Sequence, residues 1–206
     1  MANITTETKW YQLTGITPIL GSQPDTETVK TTYILSKHPE VNADDEIVPY
    51  ENESNGTTVF YRNADDNLVM MDYQIKGFFK AAFTALKADL NIGMPAKKTD
   101  QFLFVGPRHI QITRNGKPIQ DEDDILERPL RGQTMQGERI SLVSSELIDA
   151  PWTVKFSVTV LNNSATAKSK SLTFDAVEAA LDYGKLSGLG QWRNGGYGRF
   201  TWEEIE

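Results

Sequence analysis

The chain has 206 residues, 39% of them hydrophobic and 24% charged, enough for one sizeable core or a core with a large insertion. It has no cysteine, and its two histidines are His38 and His109; this excludes disulfides, thiolate zinc sites and cysteine nucleophiles and argues against a zinc site, and no cofactor is expected. The net charge of -7 is carried by one segment: eight acids between His38 and Asp66 face Arg62 alone, so the rest is formally neutral and can hold phosphates through local basic patches.

No apolar run approaches the ~20 residues of a membrane span. The opening MANITTETKW has neither the basic nor the apolar region of a secretory signal. The expectation is a cytoplasmic protein without a membrane partner.

In chain order, residues 8–16 alternate as a first strand, and Thr17-Pro18, Gly21-Ser22 and Pro24-Asp25 are turn signals. Residues 28–36 fit a short strand or a short helix. Residues 38–66 are acidic and rich in Asn, Pro and Gly, an insertion with little core of its own, broken by a short strand at Thr57–Tyr61. Ile75, Phe78, Phe79, Ala82, Phe83, Leu86 and Leu90 then fall on one face at helical spacing. Asp72 is the expected N-cap and Asn91-Ile92-Gly93 the stop.

Residues 101–113 read as a strand interrupted at Gly106-Pro107, and Asn115-Gly116 as a hairpin turn. Asp121 to Asp124 reads as a solvated turn, and 127–143 as a polar stretch with three arginines. Residues 152–161 alternate strictly; Phe174, Val177 and Leu181 mark a second helix. A glycine-rich loop and a closing strand, Arg199 to Trp202, follow. Without the insertions, at about 17–70 and 114–150, the order is βαββαβ: an α+β, ferredoxin-like (RRM-like) single domain.

Three segments resemble the RAMP superfamily, which includes backbone subunits of type III CRISPR effector complexes and CRISPR RNA-processing endoribonucleases. The first strand and turn, Tyr11 to Gly21, is similar to the family's opening element. Ile75-Lys76-Gly77-Phe78-Phe79-Lys80 looks like its LKG helix start, although Met71-Asp72-Tyr73-Gln74 stands where proline, glycine and serine usually precede it. Leu186 to Phe200 resembles its C-terminal glycine-rich loop. The resemblance implies RNA handling within a homo- or hetero-oligomer, here in a stand-alone, phage- or mobile-element-type relative.

The candidate site residues divide into three groups. In the glycine loop, Gly188, Gly190, Gly195, Gly196 and Gly198 permit a close backbone approach, Arg193 and Arg199 can grip phosphate, and Trp192 and Tyr197 can stack on bases. The alternative is a tight crossing onto the sheet, with both rings in the core. On the first helix, Lys76 and Lys80 share a face near the N-terminus, where phosphate is favoured; the alternative is a solvated face. Arg108, Arg128, Arg131 and Arg139 form a candidate basic groove or an inter-subunit arm. For catalysis the candidates are Asp25, by analogy with the aspartate of RNA-cutting backbone subunits, and His109 as a general base without an evident partner.

The leading expectation is a non-enzymatic module that binds single-stranded RNA or a related nucleotide ligand. The alternatives are a phage-type protein-interaction module or antagonist of a nucleic-acid-guided defence complex, docking through 38–66, and a metal-dependent endoribonuclease.

Overall fold

The computed structural model describes residues 5–24, 56–134, 137–161 and 171–206, and for residues 24, 56, 130–134 and 137–141 the backbone path alone. Strand β1 (Thr6–Gly15) alternates as expected: Tyr11 and Leu13 are buried, while Trp10 and the threonines alternate to the other face. It pairs antiparallel with β12 (Thr153–Leu161), Tyr11 opposite Phe156, and with β13 (Phe200–Ile205), Leu13 opposite Trp202. On its far side β12 pairs with β7 (Leu103–Gly106) and then with β8 (His109–Arg114). The sequence places a break at Gly106-Pro107, and there the strand divides in two. Beyond β8 the sheet continues through β6 (Leu68–Met71) to β5 (Tyr61–Arg62), and a two-residue β9 (Lys117–Pro118) hairpins back on β8. Asn115 and Gly116 both take positive φ, as a two-residue hairpin turn requires.

Helix α1 (Asp72–Ala85) follows β6, and helix α4 (Phe174–Ser187) joins β12 to β13. The spacing read from the sequence buries Ile75, Phe78, Phe79, Ala82 and Phe83 of α1, and Val177, Ala180 and Leu181 of α4. Their rings meet those of the sheet: Phe79 lies 6.4 Å from Phe156, and Phe78 lies 5.6 Å from Phe200, both edge to face. Burying each such ring contributes about 2–3 kcal/mol, so this layer is the main source of stability. The helix start differs by one residue from the expectation. Met71 is the N-cap, its N–H bonded to Gln74 Oε1 at 2.7 Å, and Asp72 is the first helical residue.

Two short helices, α2 (Lys87–Leu90) and α3 (Pro95–Phe102), separate α1 from β7. The helix expected to run to Asn91 instead ends at Ala85, and it is the separate α2 that Asn91 stops in the left-handed conformation; α3 takes residues 101 and 102, which the sequence assigns to the strand.

A second sheet runs β10 (Asp124–Thr134), β11 (Gly137–Ile148), β4 (Gly56–Val59), β3 (Gln23–Pro24), with β2 (Ile19–Leu20) also on β11. The polar stretch 127–143 is thus a long hairpin, with Arg128 opposite Val143. The turn at Asp121 to Asp124 does more than meet solvent: Asp123 binds the Arg114 guanidinium and accepts the N–H of Asp149 at 2.8 Å, clamping the hairpin base to the main sheet. The fold is α+β with mostly antiparallel sheets and four helices among the described residues. None of these helices is long and apolar enough to cross a membrane.

Candidate nucleic-acid interface

The glycine loop begins where α4 ends. Gly188 has φ +74°, and a Cβ there would lie 2.3 Å from the carbonyl oxygen of Tyr197. Gly198 has φ +71°, and its Cβ would lie 1.8 Å from the oxygen of Leu189. Only glycine fits either position. The two ends of the loop are tied together by Leu189 N–H to Gly198 O at 2.8 Å, and the pair is tied to the turn after β1. Gly198 N–H donates to Pro18 O at 2.7 Å, Arg199 N–H to Thr17 Oγ1 at 2.8 Å, and Ile16 N–H to Arg199 O at 2.8 Å.

Between these anchors the chain turns outward. Trp192 has φ +50°, residues Arg193–Gly195 form one 3-10 turn, and Gly196 returns at φ +86°. The tight crossing onto the sheet is present, but the two rings are not in the core. Gly188, Leu189 and Gly198 are buried and make the close crossing. The Trp192 ring is 39% exposed and stacks on half-buried Tyr197, with centroids 5.2 Å apart and planes 18° from parallel. Arg193 and Arg199 are exposed, and among the described residues neither has an ion-pair partner. The N–H groups of Gly188, Leu189, Gly195, Gly196, Gly198 and Arg199 donate within the protein, which leaves anion contact mainly to the side chains. Gly190 sits over Ile19 and Leu20 of β2, a packing position.

The loop also docks on the second sheet. Gln191 Oε1 accepts from Thr58 Oγ1 at 2.7 Å and from Ser145 Oγ at 3.3 Å. Arg128, on the neighbouring strand, donates to Ser145 Oγ at 3.2 Å and lies with its guanidinium 4.6 Å from the Trp192 ring centroid. Nothing in the sequence marks Gln191, Thr58 or Ser145, since their roles depend on strand pairing between distant segments.

The other candidates lie elsewhere. Lys80 pairs with Asp100 at 2.6 Å; Lys76 donates to the Asp100 backbone oxygen at 3.1 Å and sits 5.2 Å over the Phe104 ring. The α1 face is thus bridged to the end of α3. Arg108 pairs with Asp72 at 2.7 Å and lies 5.3 Å over Tyr73, whose hydroxyl bonds that of Tyr61. Burial, with the bond to Tyr61, pushes the Tyr73 phenol up to about 12. This partly buried tyrosine pair was not legible in the sequence, where Tyr61 and Tyr73 lie apart. His109 is exposed at the start of β8, opposite Met71. Arg131 and Arg139 continue the β10–β11 hairpin, but their side chains lie outside the described residues, as does all of Asp25. Among the described residues, no three acidic or histidine side chains cluster to hold a metal ion.

No family model matches the chain. No curated protein matches it in sequence. Among solved structures, a chain of the type III-B Cmr-β complex bound to cognate target RNA aligns with 98% of this chain at a TM-score of 0.50 and 9% identity. A chain of a type IV-B CRISPR complex aligns with 97% at a TM-score of 0.47 and 8% identity. The chain spans 61% of the Cmr-β chain and 90% of the type IV-B chain. At this identity the first likeness is one of fold: this α+β architecture is shared with a subunit of a CRISPR effector complex.

Proposed function

We propose that this chain is a non-enzymatic RAMP-like module that binds single-stranded RNA, or a related nucleotide ligand, through its glycine loop, as part of an oligomer. The observation that carries the reading is the pairing state of the basic residues. Lys80 and Arg108 are held by acids, whereas Arg193 and Arg199 stand exposed and unpaired beside an exposed, stacked Trp192. Free guanidinium groups beside a partly exposed aromatic pair suit a strand that offers phosphates and bases together.

Fold supports the same reading. We read the strands β13, β1, β12 and β7, with α1 between β1 and β7 in sequence and α4 between β12 and β13, as a ferredoxin-like βαββαβ core. Residues 17–70 and 114–150 then read as insertions of a single domain, and they supply the second sheet on which the loop rests.

The test is fluorescence anisotropy with labelled single-stranded RNA and DNA across a salt series. Binding at low salt is expected, with loss in Arg193→Ala/Arg199→Ala. A wild-type protein that binds neither strand at low salt would overturn the proposal.

A further inference from the structure

Arg128 is the one buried arginine among the described residues, 5% exposed. Its Nε has no hydrogen-bond partner, and its Nη1 reaches Ser145 Oγ at a long 3.2 Å. No carboxylate pairs with it among the described residues. Burial pushes its pKa down, yet a guanidinium stays protonated in a protein. Glu146, on the adjoining strand, alternates to the opposite face and is committed there: its Oε2 accepts the Phe60 N–H at 2.7 Å, and its Oε1 lies 3.7 Å from Arg62. By contrast, Arg62, Arg108 and Arg114 each hold an acid and are more exposed. The desolvation of Arg128 is thus left without a compensating charge.

The Trp192 ring, its centroid 4.6 Å from the guanidinium, is a weak partner for a cation compared with an anion. Trp192 itself is held in a backbone conformation that bulky residues avoid, with φ +50°. Such outliers gather where a site stores a second conformation. The turn that carries Trp192 is fixed at its two ends by the Gly188–Gly198 crossing, while between them the backbone bonds Gly195 N–H to Trp192 O and Gly196 N–H to Arg193 O are local. With release of the Gln191 contacts to Thr58 and Ser145 it can move as a unit without unpairing the sheet.

We propose that Arg128 and Trp192 form a gated phosphate site, in which the indole covers an uncompensated guanidinium and yields it to a phosphate of the bound strand or nucleotide. Arg193 and Arg199, exposed on the same turn and its return, draw the phosphate in. The buried guanidinium then gains the bidentate anion that the fold withholds. This inference rests on the reading that the ligand carries phosphate, and adds a buried anchor and a moving cover to it.

The experiment compares wild type, Arg128→Met and Arg193→Ala/Arg199→Ala. Anisotropy uses a labelled single-stranded oligouridylate, and thermal unfolding is followed with and without uridine monophosphate or inorganic phosphate. Arg128→Met is expected to weaken oligonucleotide binding tenfold or more while its unliganded melting temperature stays level or rises, because an apolar side chain of similar length replaces an unpaired buried charge. Arg128→Met that binds like wild type overturns the gated site; if the double arginine variant still loses binding, the broader RNA reading survives. If wild type binds no oligonucleotide but is stabilised by the nucleotide or by phosphate, and Arg128→Met is not, the gated site stands and the strand reading falls. No response of wild type to any of the three probes removes both. Should Arg128→Met fail to fold, acrylamide quenching of wild type against Trp192→Phe decides: a rise in Trp192 accessibility on ligand binding supports the gate, and an unchanged accessibility overturns it.

Discussion

A Cβ on Gly198 would stand 1.8 Å from the carbonyl oxygen of Leu189, while the N–H of Leu189 bonds the oxygen of Gly198 at 2.8 Å. The two backbones are in direct contact, and this contact closes the loop. Gly198→Ala is therefore expected to cost about 3 kcal/mol or more, since it adds a clash with backbone to an unfavourable φ. Gly116→Ala is the control. Its φ is also positive, at +76°, but no atom lies within 4 Å, so about 1–2 kcal/mol is expected. Urea unfolding of the two variants measures the difference.

Arg193 and Arg199 can be removed without touching the core. Arg193→Ala/Arg199→Ala should leave the urea midpoint within experimental scatter of wild type, because both side chains are exposed and unpaired. The salt dependence of RNA binding should become shallower by about 1.4 in log–log slope, the value for two lost single-strand phosphate contacts. An unchanged slope would place the phosphate contacts elsewhere.

Lys76 and Lys80 behave differently on this geometry. Lys80→Ala removes an exposed ion pair with Asp100, worth up to about 1 kcal/mol. Because that lysine is already partnered, Lys76→Ala/Lys80→Ala should weaken RNA binding less than the glycine-loop double variant does. Equal losses in a side-by-side titration would make α1 an equal part of the interface.

Acid pH acts on two carboxyls in opposite directions. Burial first, then the neighbouring Glu122, holds the Glu146 carboxyl above its ordinary value, against the pull of the Phe60 N–H and Arg62. The folded state then binds this proton more readily than the unfolded chain, so Glu146 adds stability as pH falls through the window just above the ordinary glutamate value. Asp123 is held low, first by Arg114, so its contribution is present above its unfolded pKa and lost as pH falls toward the folded one. Glu146→Gln should flatten the gain on moving from about pH 6 to about pH 5. Asp123→Asn should lower stability at neutral pH by about 1 kcal/mol and lessen the loss in more acid solution. Unfolding midpoints from about pH 6 down to about pH 3 distinguish the two.

The core was legible where periodicity is strict. Phe78, Phe79 and Phe83 on α1 and Val154, Phe156 and Val158 on β12 announce their faces, and all are buried. Helix α3 gave no such signal: in PAKKTDQF only Pro95 and Thr99 are buried, so no apolar stripe marks it. The β10–β11 hairpin was hidden for a related reason, since its arginines, glutamines and glycines do not alternate with apolar residues. For the glycine loop, sequence position gave its place between α4 and β13. Its docking on Thr58 and Ser145 arises from pairing between β4 and β11, 87 residues apart, which no local pattern records.

Strand β1 has a consequence for how the chain acquires this shape. Its two sheet partners are β12 and β13, so Trp10 waits for Ser157 on one side and Ile205 on the other. During synthesis β1 emerges long before either of its partners, so it is paired late. Both of its edges stay open while α1, the β6–β8 ladder and the long hairpin can already form. Closure over such separations is slow, and it ties the turn at Thr17 to Arg199 only in the final step. The glycine loop is therefore assembled last, as the seam that joins the two ends of the fold.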